Sequence, residues 1–258
     1  MNCKVSRNLH KEFSNPEIFE VAALIDHKVE EERIRSVYAK REKLSSLYSV
    51  FDPGNLFITQ TRERCLLRLL KQNGCEQLAT RKILEIGCGQ GYWLREFVRF
   101  GAQPENITGI DLISQDVMEA RRLSSPAMKI KCGNGANLEF PDESFDIVFQ
   151  FTVFTSILDP ELKRELSAEM VRVVKQDGLI VWYDFHMNNP SNPDVRGVKR
   201  QEIIRLFPGC TVDLQRLTLA PPIARFVAPY SWLACELLQA IPLFRTHYLG
   251  AIRKRNRK

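Results

Sequence analysis

One stretch, residues 82–93 (KILEIGCGQGYW), restricts the fold of this chain more than any other. Ile83, Leu84 and Ile86 are typical of a short buried strand, and glycines occupy every second position over 87–91. A glycine-rich turn between a strand and a helix lets backbone amides approach a ligand closely. The stretch therefore predicts a bound cofactor at the end of a strand.

The sequence after Ile83 alternates between apolar runs and helical segments. This alternation predicts a parallel sheet with helices packed on it. The last two runs are predicted strands that pair antiparallel at the edge of the sheet. The apolar runs are ILEI, NITGIDL, MKIKC, FDIVFQF, GLIVWYDF, CTVDLQRLTL and HYLGAIRK.

The clearest helical segment is 159–177. Asp159 is the predicted N-cap, Pro160 takes the first helical position, and Gly178 is predicted to end the helix. Its apolar face consists of Leu162, Leu166 and Met170.

The chain divides into two predicted parts. Residues 1–77 form a helical cap and a first core helix, with a turn at Pro53 and Gly54 and a helix that ends at Gly74. The apolar face of that helix is Cys65, Leu66, Leu69 and Leu70. Residues 78–258 form the core, with a helical insertion at about 221–244.

The distribution of charge argues against nucleic-acid binding by the body of the chain, and the cysteine spacing argues against a zinc site. Removing the five basic residues of the tail RKRNRK lowers the net charge from +6 to +1, so the body is nearly neutral. The seven cysteines form no CxxC pair, which argues against a zinc site and predicts a reducing, cytoplasmic compartment. No apolar stretch has the length of a membrane span.

The spacing of the glycine turn distinguishes between ligands. A phosphate-binding Walker loop would need a lysine that this turn lacks, and Tyr92 takes the place of the third glycine of a dinucleotide fingerprint. Glu85 precedes the glycines and could face an ammonium or sulfonium group. Asp111, 20 residues beyond Gly91, is placed to accept hydrogen bonds from the two hydroxyls of a ribose.

Four pieces in this order, ILEIGCGQG, GIDL, NLEFPDESFDIV and EMVRVVKQDGLIVWYDF, resemble the class I S-adenosylmethionine-dependent methyltransferases. The resemblance covers residues 78–186 and is nearest to the ubiquinone/menaquinone-biosynthesis group. It implies a Rossmann-like α/β fold with a seven-stranded, mostly parallel sheet, an antiparallel last strand, helices on both faces and an N-terminal helical cap.

The resemblance also implies S-adenosylmethionine as the cofactor. Asn134 and Gly135 stand where the family usually has Asp-Ala, and an Asn oxygen can still accept a hydrogen bond from the adenine amine. The implied cofactor-binding residues are Glu85, Gly87, Cys88, Gly89, Gly91, Asp111, Leu112, Asn134, Gly135 and Gln150.

The acceptor side is predicted from the loop after the fifth strand. His186 has a suitable pKa for a general base, and Tyr183 and Asp184 are the alternative contacts. The N-terminal aromatic residues Tyr38, Tyr48 and Phe51 are candidates for a lid. Phe151, after Gln150, completes the predicted acceptor pocket, which is therefore Tyr38, Phe51, Phe151 and Asp184.

The motifs of DNA methylation and of magnesium-dependent catechol methylation are not reproduced after the fourth and fifth strands. We therefore expect no DNA substrate and no metal. The predicted function is methyl transfer to oxygen or carbon of a small molecule or of a lipid or glycan precursor. An RNA methyltransferase and a non-catalytic S-adenosylmethionine-binding regulator remain alternatives. The apolar segment 221–244, beside the basic tail, is a buried helix, a pocket wall or a peripheral membrane contact.

Overall fold

The computed structural model describes residues 16–41, 49–189 and 192–255. Tyr48 and the last three residues of the basic tail lie outside these ranges. Within them, the strands are β1 (Ile83–Ile86), β2 (Ile107–Asp111), β3 (Lys129–Cys132), β4 (Phe145–Phe151), β5 (Val174–Phe185), β6 (Cys210–Leu219) and β7 (Arg245–Lys254). The helices are α1 (Pro16–Arg41), α2 (Pro53–Gln72), α3 (Tyr92–Arg99), α4 (Ser114–Leu123), α5 (Pro160–Val173), α6 (Arg200–Leu206), α7 (Pro221–Val227) and α8 (Trp232–Ala240).

The seven strands form one sheet in the order β3-β2-β1-β4-β5-β7-β6. Strands β1 to β5 are parallel, and β7 pairs antiparallel with β5 on one side and with β6 on the other. The predicted mostly parallel sheet is confirmed. Because the order reverses between β1 and β4, the carboxyl ends of these two strands flank a crevice in which ligands bind.

Alternate strand residues face the two sides of the sheet, and each side is covered by helices. Phe149 and Val181 pack with residues of α2, α3 and α4 in one cluster. Val148 and Trp182 pack with residues of α1, α5 and α6 in the other. All four strand residues are fully buried, as expected for a central parallel sheet.

Helix α2 shows the predicted apolar face. Leu66, Leu69 and Leu70 are buried, and Gly74 follows the end of the helix with a φ of 69°. The prediction of a turn at Pro53 and Gly54 is wrong, because these two residues begin the helix. The Asp52 side chain accepts the Asn55 N–H, so proline occupies the position where its missing donor costs nothing.

Helix α5 begins as predicted, at Pro160 after the Asp159 cap, but it ends at Val173 and not at Gly178. Val174 already pairs with Phe145 in the sheet, and the β4–β5 register shifts between Phe145 and Ile147. Gly178 therefore lies in a strand irregularity. Consecutive β-branched residues at the end of a helical pattern favour the extended backbone.

Candidate active site

The glycine turn lies between β1 and α3 and has the conformation that only glycine adopts without strain. Gly87, Gly89 and Gly91 all have positive φ, at 72°, 48° and 76°. A side chain at Gly87 would collide with Val153, since an added Cβ would lie 2.3 Å from its Cγ2. The glycine at 87 therefore satisfies both a backbone and a packing requirement.

Asp111, at the end of β2, is hydrogen-bonded to the glycine turn. Its Oδ2 accepts the Gly89 N–H at 2.7 Å, and its Oδ1 accepts the Ile113 N–H at 2.8 Å. Burial raises the pKa of Asp111, and these backbone donors oppose that shift. The carboxylate thus fixes the position of the turn and keeps lone pairs for a ligand.

Next to this turn is a cavity of about 270 Å³, which we call the small cavity. Six of the predicted cofactor-binding residues line it: Gly87, Gly89, Asp111, Leu112, Asn134 and Gly135. Phe151, predicted for the acceptor pocket, lines this cavity instead. The wall opposite the turn is formed by Ile34, Leu162 and Leu166.

Asn134 is already engaged at both ends of its side chain. Its Oδ1 accepts the Ala136 N–H at 2.8 Å, and its Nδ2 donates to Glu31 Oε1 at 2.8 Å. The oxygen retains a second lone pair, so it can still accept from a ligand amine. Glu31 of α1 also lines the small cavity and is a wall residue that the sequence motifs did not indicate.

Four predicted cofactor residues do not line either cavity: Glu85, Cys88, Gly91 and Gln150. The Glu85 carboxylate is buried, and its Oε2 has no hydrogen-bond partner among the described residues. Burial and the nearby Asp111 raise its pKa well above the usual value. An unpartnered buried carboxyl beside the turn remains compatible with contact to a cationic group.

Gln150, Cys88 and Gly91 make contacts with the elements that surround the cavity. Gln150 Oε1 accepts the Val153 N–H at 3.0 Å, which fixes the loop after β4. Cys88 is buried, its N–H donates to Ile110 O at 3.1 Å, and burial raises the pKa of its thiol. Gly91 caps α3 and packs against Ala120. These residues hold the shape of the site.

A second cavity, of about 510 Å³, lies next to the first, and we call it the large cavity. Tyr38, Thr152 and Ser156 line both cavities. The wall of the large cavity includes Val50, Asn55, Leu56, Ile58, Thr59, Arg62, Tyr92, Thr155, Tyr183, Phe185, Met187, Pro221, Arg225 and His247.

Of the residues predicted for the acceptor side, Tyr38 and Tyr183 line the large cavity, whereas Phe51, Asp184 and His186 do not. The Phe51 side chain is 92% exposed. Asp184 is fully buried, and its carboxylate accepts the Thr155 hydroxyl at 2.6 Å and the Phe185 N–H at 2.9 Å. Burial raises the pKa of Asp184 to about 7. Asp184 therefore orients Thr155 of the cavity wall.

The placement of His186 does not support its predicted role as a base. Its Nε2 lies 2.8 Å from the Arg245 carbonyl oxygen, to which it donates, and its ring packs on Tyr248. Burial lowers its pKa. The side chain is bound to the neighbouring strand and lines neither cavity.

Two wall residues that sequence reasoning did not identify are His247 and Arg62. His247 of β7 is buried, and its ring stacks on Tyr183 at 4.7 Å. Its Nδ1 lies 3.0 Å from the Thr246 hydroxyl. Arg62 of α2 contacts the same Tyr183 ring, 5.0 Å from its centroid. Only the pairing of β7 with β5 brings His247 to this wall.

Burial, with smaller contributions from Arg62 and His186, lowers the pKa of His247 well below its usual value of 6.5. The unfolded chain therefore takes up a proton below pH 6.5 that the folded protein does not, so stability falls as the pH falls. We expect the wild-type free energy of unfolding to drop from pH 7.5 to 5.5 by up to about 1.4 kcal/mol more than that of His247→Gln. Urea denaturation at both pH values measures this. An equal drop in the wild type and in His247→Gln would contradict the lowered pKa of His247. His186→Gln is the control, and we expect it to change the pH dependence less than His247→Gln does.

Within the described part of the chain, no cluster of three or more His, Cys, Asp or Glu side chains could hold a metal ion. The described helices are also too short or too polar for any one of them to cross a membrane.

Comparison with known proteins connects this geometry to a family. Residues 84–182 match the family model described as a methyltransferase domain. The chain is 33% identical over 114 residues to phthiotriol/phenolphthiotriol dimycocerosates methyltransferase 1 of Mycobacterium ulcerans, covering 44% of this chain and 41% of the relative. It is 32% identical over 110 residues to 2-methyl-6-phytyl-1,4-hydroquinone methyltransferase of Synechocystis, covering 42% and 33%.

Solved structures share the fold at lower identity. Phosphoethanolamine N-methyltransferase 1 of Haemonchus contortus, solved with phosphoethanolamine and S-adenosylhomocysteine, has a TM-score of 0.63 at 13% identity and covers 90% of this chain and 50% of its own. A sarcosine dimethylglycine methyltransferase homologue of Galdieria sulphuraria has a TM-score of 0.57 at 17% identity, covering 75% and 85%. The chain spans about two fifths of the length of the curated relatives that it matches first.

Proposed function

We propose that this chain, a class I S-adenosylmethionine-dependent methyltransferase by its matched domain and its fold, transfers a methyl group to a small-molecule or lipid acceptor bound in the large cavity. The observation that carries the proposal is the pair of adjoining cavities. The small cavity lies on the glycine turn, the large cavity lies beside it, and Tyr38, Thr152 and Ser156 line both.

The residues of the small cavity fit S-adenosylmethionine. The Asp111 carboxylate suits ribose hydroxyls, Leu112 and Ile34 offer apolar surface to an adenine ring, and Asn134 presents an acceptor for its amine. Glu85 lines neither cavity, but its buried Oε2 has no hydrogen-bond partner among the described residues, and a cationic group close to it would favour its ionised form. When bound, the cofactor supplies an activated methyl group on a sulfonium, so the chain itself must align the acceptor and exclude water.

Thr152 stands where the two cavities meet. It has a φ of 61°, which is unusual for a residue with a β-branched side chain, and its N–H donates to Tyr183 O at 2.8 Å. Strained backbone of this kind concentrates at functional sites. We assign Thr152 to positioning of the reacting groups, together with Tyr183, whose hydroxyl lies 2.7 Å from that of Thr218.

The acceptor class follows from the wall of the large cavity. Apolar and aromatic side chains such as Ile58, Phe185 and Met187 are mixed with a few polar groups, which is typical of a small-molecule site. The relatives named for phthiotriol dimycocerosates and for a phytyl hydroquinone support a lipid or a hydroquinone as the acceptor.

Calorimetric titration with S-adenosylhomocysteine, followed by transfer of tritiated methyl groups into metabolite, lipid and RNA fractions, tests the function. We expect binding, and label in the lipid or metabolite fraction. Label in RNA alone would favour the RNA methyltransferase alternative. Binding of S-adenosylhomocysteine without methyl transfer to any fraction would favour the regulatory alternative. Absence of binding would contradict the proposed function.

We also propose that residues 221–244 contact a lipid membrane. The exposed apolar surface there consists of Phe226, Tyr230, Leu233, Leu237 and Leu243, each 63–84% exposed. An apolar surface of this kind marks an interaction site. Pro221 and Arg225 of the same segment line the large cavity, so the segment that carries this surface also contributes to the proposed acceptor site. A lipid acceptor could therefore enter from the membrane.

Replacing three residues of this surface (Phe226→Ser, Leu233→Ser and Leu237→Ser) should weaken binding to phosphatidylcholine–phosphatidylglycerol vesicles by about tenfold or more, because less apolar area is buried. Vesicle co-sedimentation measures this. Met118→Ser, which alters an exposed apolar residue on α4, is the control. Unchanged sedimentation of the triple variant would rule out the contact. Deleting 221–258 is not suitable, because β7 would be lost with it.

The division of the chain at residue 77 remains a proposal of the same kind. Helix α1 contributes Glu31, Ile34 and Tyr38 to the small cavity, and α2 contributes Thr59 and Arg62 to the large one. These contacts support a role for residues 1–77 as a cap over the core.

A further inference from the structure

We propose that Arg62 makes the large cavity an anion site, so that the methyl acceptor carries an acidic oxygen group such as a carboxylate, phenolate or enolate. This inference rests on the proposed function and deepens it, because it assigns a chemical class to the acceptor.

Arg62 is a cation that aromatic rings hold in place. Its guanidinium carbon lies 4.6 Å from the Trp93 ring, 5.0 Å from Tyr183 and 5.8 Å from Phe151. Its Nε is buried and has no hydrogen-bond partner among the described residues. The Tyr183 side chain also interacts with Arg62 by hydrogen bonding, whereas stacking on rings leaves the buried Nε donor to be satisfied.

Among the described residues, no acidic side chain of the cavity wall forms an ion pair with Arg62. The wall residues of the large cavity include two arginines, Arg62 and Arg225, and no aspartate or glutamate among the described residues. Arg225 donates to Asn55 Oδ1 at 3.1 Å, which is a neutral partner. The buried Nε of Arg62 has no partner, and an anion bound in the cavity would supply one that the wall does not.

Four acidic groups close to wall residues do not line the cavity, and two of them, Glu63 and Glu96, pair with Arg99. Asp184 is fully buried and accepts hydrogen bonds from Thr155 and Phe185. Glu85 does not line the cavity; burial and Asp111 raise its pKa well above the usual value, and the attraction of Arg62 only partly opposes that shift. The third basic side chain of the wall, His247, is kept neutral at pH 7 by burial. It therefore adds a hydrogen-bonding group and no charge.

Asn55, Thr155 and Ser156 add neutral hydrogen-bonding groups to this wall. A guanidinium beside them favours the ionised form of an acidic group, since an opposite charge within a few ångströms stabilises it. Transfer of a methyl group from a sulfonium cation to an anionic oxygen leaves two neutral products. Such a reaction is favoured in a cavity from which water is excluded.

The test uses two fluorescent probes of similar shape, anilinonaphthalene sulfonate, which is an anion, and N-phenylnaphthylamine, which is neutral. Both are titrated into the full chain saturated with S-adenosylhomocysteine. We expect Arg62→Gln to weaken binding of the sulfonate by about ten- to hundredfold and to change binding of the neutral probe by less than about twofold. Arg62→Lys should retain part of the preference.

Arg68→Gln, an exposed arginine on the same helix, is the matched control and should change neither affinity. Displacement of the sulfonate from the wild type by benzoate but not by benzyl alcohol gives a second measurement that needs no variant. Equal sulfonate affinities in wild type and Arg62→Gln, or equal displacement by benzoate and benzyl alcohol, would overturn the proposal.

A separate binding experiment determines whether the anion that contacts Arg62 belongs to the methyl acceptor or to the cofactor. S-adenosylhomocysteine carries a carboxylate, whereas 5′-methylthioadenosine lacks it. If Arg62→Gln weakens binding of the first compound and not of the second, Arg62 binds the cofactor's own carboxylate and the proposal is wrong. If S-adenosylhomocysteine does not bind the wild type at all, it is the proposed function that fails.

Discussion

Asp111→Asn is expected to weaken binding of S-adenosylhomocysteine by about 100-fold or more. The Asp111 carboxylate accepts the Gly89 and Ile113 amides at 2.7 and 2.8 Å. An asparagine of the same shape must turn an N–H group toward one of these donors, and it offers a ribose a poorer acceptor. Each hydrogen bond to a charged group contributes about 1.5–3 kcal/mol, and 1.4 kcal/mol corresponds to a factor of ten. Titration calorimetry measures the change.

Asp177→Asn is the matched control, because Asp177 is exposed and lies away from both cavities. It should bind the cofactor product like the wild type. Full affinity in Asp111→Asn, with an unchanged melting temperature, would mean that the ligand does not use this carboxylate.

Gly87→Ala should lower the free energy of unfolding by about 2–5 kcal/mol. A left-handed backbone costs an alanine about 1–2 kcal/mol, and forcing an extra methyl group into packed space costs about 1–3 kcal/mol. The structure requires both, since Gly87 has a φ of 72° and its added Cβ would lie 2.3 Å from Val153 Cγ2. Chemical denaturation measures the loss.

Gly89→Ala separates the two contributions. Gly89 also has a positive φ, of 48°, but nothing lies within 4 Å of its added Cβ, so only the backbone cost applies. Adding Val153→Ala to Gly87→Ala should recover the packing part and leave the backbone part. Equal losses in the two single variants would refute the predicted collision with Val153.

The lining of the small cavity, which is the proposed donor side, could be predicted from the sequence because it is local. The turn, Asp111 and Asn134 follow parallel strands of one sheet, and the carboxyl ends of such strands meet at one edge. Six of the ten residues named from the resemblance line the small cavity. The other four do not line it. A linear motif does not distinguish a wall residue from its support.

The acceptor side could not be predicted in the same way because it depends on pairing between distant segments. His186 directly follows β5, a position from which the sequence predicted a general base. Its Nε2 instead donates to a carbonyl oxygen of the antiparallel partner β7. The histidine that lines the large cavity is His247 of β7. The register Phe185↔His247 joins residues 62 positions apart. Arg62 lies on α2, where the sequence pattern predicts only the buried apolar face of Leu66, Leu69 and Leu70 and gives no signal for a polar wall residue.

The position of β7 also affects how the chain acquires its shape during synthesis. Strand β7 is made after β6 and after both helices of the 221–244 segment, yet it inserts between β5 and β6. Until β7 is available for pairing, β5 has an open edge and β6 has no neighbour in the sheet. An open strand edge is prone to association with other chains. Nascent chains that stall before residue 245 should therefore depend on chaperones. They also lack His247, which lines the large cavity.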